Sequence, residues 1–216
     1  MQGRFSYSKL KDPFSSVSHG LGVVLAVVGT VVLLTISYNK SVAFTGSLVY
    51  AVGLIFVYLA STLYHARQSS SPWPQRLDHM AIYVMIAGTY TPVCLLSLPR
   101  NYGIPMLIAE WALAIVGLTL NIFFGGGHNV LRVILYLSMG WMAVLAIGPL
   151  KQNLTSIQLQ WLLAGGIVYT LGTIVYATER PRLWPGKFSA HDLWHLFVLT
   201  ASGFHYALVV SLAIRA

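Results

Sequence analysis

The residues of this 216-residue chain best placed to do chemistry are histidines. His191 and His195 are four residues apart, Ser61 and His65 have the same spacing, and Asp78 follows a short connector later. On a helix that spacing puts both side chains on one face. Two imidazoles one turn apart can grip one metal ion, and a third from another helix completes three protein ligands. The fourth position is then left for water, which is the arrangement of a catalytic zinc site. Zinc in such a site lowers the pKa of its water to about 7. Asp78 could orient that water or take its proton, and Ser61 could bond the same water or a substrate carbonyl. A plainer reading stands beside this one. Imidazoles often bond only backbone or water, and Asp78 could be an N-cap that stabilises its helix by about 1 kcal/mol.

Composition says what must position these groups. Hydrophobic residues make up 56% of the chain and charged residues 8%, with a mean hydropathy of +0.71. So few charges cannot cover a water-facing surface, since soluble domains carry roughly 25%. Lipid is the solvent that fits. A spanning helix needs about 20 mostly apolar residues, and seven stretches qualify: Ser18–Tyr38, Val42–His65, Asp78–Leu98, Gly103–Phe124, Val130–Pro149, Ile157–Ala177 and His191–Ile214. The alternation of a membrane barrel is missing. The expected fold is therefore all-α, a seven-transmembrane helix bundle occupying residues 18–216 behind a cytoplasmic segment, 1–17. The first span is read as retained, because a secretory signal would be shorter in its apolar part and carry a cleavage site.

The net charge of +8 is spread over connectors. That spacing fits topology determinants better than a nucleic-acid surface. With the N-terminus inside, nine basic residues lie inside (Arg4, Lys9, Lys11, Arg67, Arg76, Arg132, Arg180, Arg182, Lys187) and four outside (Lys40, Arg100, Lys151, Arg215). The expected topology is N-terminus cytoplasmic and C-terminus outside, multi-pass in the plasma membrane. This places His19, His65, Asp78, His191 and His195 near one leaflet boundary. Ionisable groups at membrane depth read as functional by default. Asp192 is expected either as a first-turn acid favoured by the helix dipole or as a partner of a ligand. His205 lies about 15 Å deeper than His195 along the helix and is expected to make an interior polar contact. His79, pointing about 100° away from Asp78, is expected at headgroups and His128 in a loop. Tyr83 and Trp194 are expected to pack in the bundle, and Cys94 to fill core. Glu110 stands as an isolated buried acid. The sequon Asn153-Leu154-Thr155 falls in an outer loop and matters only in a glycosylating host.

Three stretches, STLYH (Ser61 to His65), LDHMAIYVMIAGTYTP (Leu77 to Pro92) and HDLWHLFVLTASGFHY (His191 to Tyr206), resemble the hemolysin III family. That family is grouped with the progestin and adiponectin receptors and, more remotely, the alkaline ceramidases. The resemblance implies zinc held by His65, His191 and His195, with Asp78 and Ser61 around the metal's water. One departure stands out. The family's first-helix pattern places an acid and an asparagine before the histidine, whereas this chain has Asp12, Ser15 and His19. His19 is therefore expected behind the ligands rather than among them. Three functions follow as expectations: a zinc-dependent hydrolase of a ceramide-like lipid amide, a non-enzymatic receptor or regulator of membrane lipid homeostasis with structural zinc, and the cytolysin of the family name. The last has little physical support, because seven apolar spans leave no soluble state. A transporter is a further alternative, with few mid-membrane charges to trace a route. The expected partner is a membrane lipid, not nucleic acid.

Overall fold

In a hydrocarbon solvent every backbone N–H and C=O needs an internal partner, so helices are the natural solution for apolar stretches of this length. The computed structural model describes residues 10–125, 129–184 and 187–216. It contains α1 (Pro13–Ser37), α2 (Ser41–Ala66), α3 (Trp73–Ser97), α4 (Arg100–Phe124), α5 (Asn129–Gly140), a 3₁₀ turn (Met142–Ala146), α6 (Ile147–Asn153), α7 (Ser156–Thr178) and α8 (Ala190–Arg215). Seven spans result, because α5, the 3₁₀ turn and α6 together make the fifth. His128 and the basic residues Arg4 and Lys9 lie outside the described residues. Several hydroxyls inside the helices are satisfied by their own helix. Thr30, Ser37, Thr62, Thr89, Thr91 and Ser97 each donate to the carbonyl four residues earlier, a bond that hides a hydroxyl inside an apolar bundle.

The chain order sets the packing. α2 lies between α1 and α3, α4 packs on α3, α7 on α8, and α8 closes back on α1 and α3. The α2–α3 seam is tight because Gly53 stands against the backbone of Val84 and Met85, where an added Cβ would come within 3.3 Å. The main core, including Tyr50, Leu54, Tyr58, Ala81, Met85 and Val198, lies among α2, α3 and α8. α1 turns Leu21, Val24, Leu25, Val28 and Val31 outward to lipid. Basic side chains cover helix C-termini: Lys40 donates to the Ala213 and Ile214 carbonyls at 3.0 and 2.8 Å, and Arg76 to Ile122 at 3.2 Å. A cation there meets the negative end of the helix dipole.

Two spans depart from expectation. α3 begins at Trp73, so Asp78 is its sixth residue and cannot be its N-cap. The span expected as one helix over Val130–Pro149 is broken after Gly140. The Tyr90 hydroxyl bridges the break, donating to the Gly140 carbonyl at 2.9 Å and accepting from the Ala143 N–H at 2.8 Å.

Candidate metal centre

The centre forms where the last turn of α2 meets the first turns of α8. His65 closes α2, one residue before its end, and is 2% exposed. Ser189 and Asp192 form a reciprocal capping box that starts α8, so the helix is already regular at His191. The three Nε2 atoms converge: His191 is 3.2 Å from His65 and 3.1 Å from His195. The ligand atoms of all three lie within 4.8 Å of one another, a group that could hold a metal ion. The donor chemistry fits. A neutral imidazole has one N–H and one lone pair. The His65 Nδ1 lies 2.8 Å from the Asp12 carboxylate, which assigns the N–H to Nδ1 and leaves the Nε2 lone pair facing its neighbours. Three nitrogens on a tetrahedral zinc would stand about 3.3 Å apart, given Zn–N bonds of about 2.0 Å.

Support from the first helix is direct. Asp12 precedes α1, and its N–H also donates to the His65 carbonyl at 3.0 Å. A carboxylate behind a ligating histidine orients the ring and raises its basicity. The Ser15 hydroxyl donates to Asp192 at 2.8 Å, tying α1 to the start of α8. Asp192 accepts at 2.8 Å from the Ser189 N–H as well. It is therefore a helix-start acid, as one of the two expectations had it, and among the described residues its hydrogen bonds go to Ser15 and Ser189 rather than to a histidine of the cluster. His19 is buried against the His195 ring, with centroids 3.9 Å apart, and its ring nitrogens have no hydrogen-bond partner among the described residues. The Asp12 contact was missed from sequence, although the acid of the first-helix pattern was its signal.

Beside the histidines is a cavity with about 520 Å³ of free space, including its mouth. His19, Ser61, Asp78, His191 and His195 line its polar side, and Val57, Ile82, Trp194 and Val198 its apolar side. Asp78 approaches Ser61, so the hydroxyl and the carboxyl face the same space. His79 also lines this cavity, and it is buried rather than at headgroups as expected. Arg132 reaches its Nδ1, and the Tyr136 hydroxyl donates to its carbonyl at 2.7 Å. Other residues lie elsewhere. His205 is close to the Leu162 carbonyl, 3.4 Å from Nε2, away from the three ligand nitrogens. Tyr83 packs on Tyr136, and Trp194 on Tyr176 at the cavity wall. Cys94 is buried. Glu110 is 0% exposed, and its oxygens have no hydrogen-bond partner among the described residues.

A family model described as haemolysin-III related matches residues 7–206. The hemolysin-3 homolog of Bacillus subtilis (strain 168) is 34% identical over 208 residues, covering 93% of each chain. Hemolysin-3 of Bacillus cereus is 36% identical over 202 residues, 91% of this chain and 89% of that one. The human monocyte to macrophage differentiation factor is 26% identical over 214 residues, 94% of this chain and 85% of its own.

Proposed function

The chain belongs to the haemolysin III family, and from that membership we propose that it is a zinc-dependent membrane hydrolase acting on a ceramide-like lipid amide. The observation that carries this reading is three Nε2 atoms converging beside a cavity that also holds a carboxyl and a hydroxyl. His65, His191 and His195 would hold the ion, with Asp12 keeping the His65 N–H on Nδ1. Zinc held there would supply Lewis-acid activation of water and of a carbonyl. Asp78 takes a proton from the attacking water and passes it to the leaving nitrogen, so amide and water become carboxylic acid and amine. Ser61 hydrogen-bonds the water or the carbonyl and holds it in line. Trp194, Val198 and Ile82 offer the acyl chain an apolar wall. The site faces the cytoplasmic leaflet of the plasma membrane, with the N-terminus inside.

A zinc brace without chemistry would need the same ligands. The reading as a hydrolase is favoured by Asp78 and Ser61, which face the cavity and are not among the three ligands. The test is turnover of a lipid-amide panel by purified, metal-loaded protein beside Asp78→Asn. The reading expects metal-dependent hydrolysis that falls by roughly 10²–10⁴-fold in the variant while zinc is retained. Zinc-loaded wild type that hydrolyses nothing in the panel overturns it.

A further inference from the structure

The cavity beside the histidine cluster contains a polar group that the hydrolase reading leaves unused, the His79 imidazole. His79 lines that cavity and is buried. It follows Asp78 on α3 and is close enough to His65 and His191 to interact with them electrostatically. The fifth span holds it from behind. Arg132, itself buried, donates from Nη1 to the His79 Nδ1. One turn along α5 the Tyr136 hydroxyl donates to the His79 carbonyl at 2.7 Å. The tautomer follows from the donor inventory. A guanidinium only donates, so Nδ1 is the accepting nitrogen, and a ring that accepts at Nδ1 is neutral with its proton on Nε2. That Nε2–H has no acceptor among the described residues. An enclosed N–H without an acceptor is costly, and the space that can supply one is the cavity.

We propose that the His79 Nε2–H is the subsite for the carbonyl oxygen of the lipid amide, with Arg132 as the positioning residue that fixes its tautomer. Donation from Arg132 into Nδ1 polarises the ring and strengthens the donor at Nε2. A fixed donor aimed at a carbonyl holds it in the ground state and counts for more as negative charge gathers on the oxygen. A neutral imidazole suits this task, because it donates a hydrogen bond without giving up its proton. No bond is made or broken at His79, and Asp78 keeps the proton transfers. The subsite deepens the hydrolase reading and rests on it for the class of ligand. Carbonyl binding can nevertheless be measured whether or not turnover occurs.

The test is binding of two pyrene-tagged probes to the full chain in detergent, in an Asp78→Asn background that leaves the amide intact. One probe is an N-acyl sphingoid base, and the other is its ether analogue, in which CH2–O replaces the acyl amide. The amide is expected to bind roughly tenfold tighter than the ether, as one directed hydrogen bond allows. His79→Asn puts an amide oxygen near the Nδ1 position, where it can still accept from Arg132, and nothing near Nε2. It is expected to abolish the preference. His79→Gln reaches the Nε2 position with an N–H and is expected to keep it, whereas a ring that served only to satisfy Arg132 would give no such split. Arg132→Leu releases the tautomer and is expected to reduce the preference as well. No preference in the parent overturns the subsite. So does an undiminished preference in His79→Asn or Arg132→Leu protein of wild-type zinc content and thermal midpoint. Loss of fold in both His79 variants overturns it too, since His79 would then be a structural link. Failure of the hydrolase reading would look different: an amide that zinc-loaded wild type binds and does not cleave.

Discussion

At the scale of single residues, the account rests on which nitrogen of each imidazole is free. The Asp12 carboxylate settles this for His65 by holding Nδ1 at 2.8 Å. Removing it should weaken metal binding without removing a ligand. Asp12→Ala is expected to lose roughly 10–100-fold in zinc affinity, read by competition with a chelating dye, whereas His65→Ala should lose bound zinc altogether. Because neutral imidazole is the ligand form, zinc affinity should also fall as the solution is made acidic; an affinity unchanged into mild acid would contradict the ligand set. The histidine cluster was legible in the sequence because two of its members share a helix at a spacing of four, and because helix ends align at one boundary. Asp12 was harder to read. Its role depends on a chain reversal that brings the start of α1 to the end of α2, and nothing in local spacing reports that contact. His79 was misread for a related reason: the fifth span packs over it with Tyr136 and Arg132, which a single helix's angular geometry does not reveal.

At the scale of elements, apolar length located all seven spans, since lipid enforces that length regardless of packing. Their ends were less legible. Trp73-Pro74-Gln75-Arg76 read as connector because of its proline and polar residues. Yet proline is well tolerated in a first helical turn, where its missing N–H costs nothing, so α3 starts before Asp78. The break in the fifth span was not legible either, because it is stapled from another helix by Tyr90. Two outcomes belong here. Ser189→Ala removes the cap of α8 and should cost about 1 kcal/mol of stability, seen as a lower thermal midpoint. Gly103→Ala would put a Cβ 2.4 Å from the Cys94 carbonyl oxygen, and overpacking of this kind costs about 1–3 kcal/mol. It should lower the midpoint while leaving zinc content at the wild-type level, because the α3–α4 contact is remote from the ligands.

At the scale of the whole molecule, the metal centre and the bundle support each other. The three candidate ligands come from α2 and α8, two spans far apart in sequence, while α1 is tied to both through Asp12 and Ser15. A ligand that binds only the folded state stabilises it in proportion to the logarithm of its saturation. Chelation should therefore lower the thermal midpoint, and added zinc should restore it; a midpoint indifferent to chelator would mean the histidines hold nothing. The direct test is elemental analysis of the purified protein beside His65→Ala and His195→Ala. The account predicts about one zinc per chain in the wild type, as a single three-histidine site requires, and close to none in either variant. A wild type without metal, or variants that carry as much as the wild type, would contradict it.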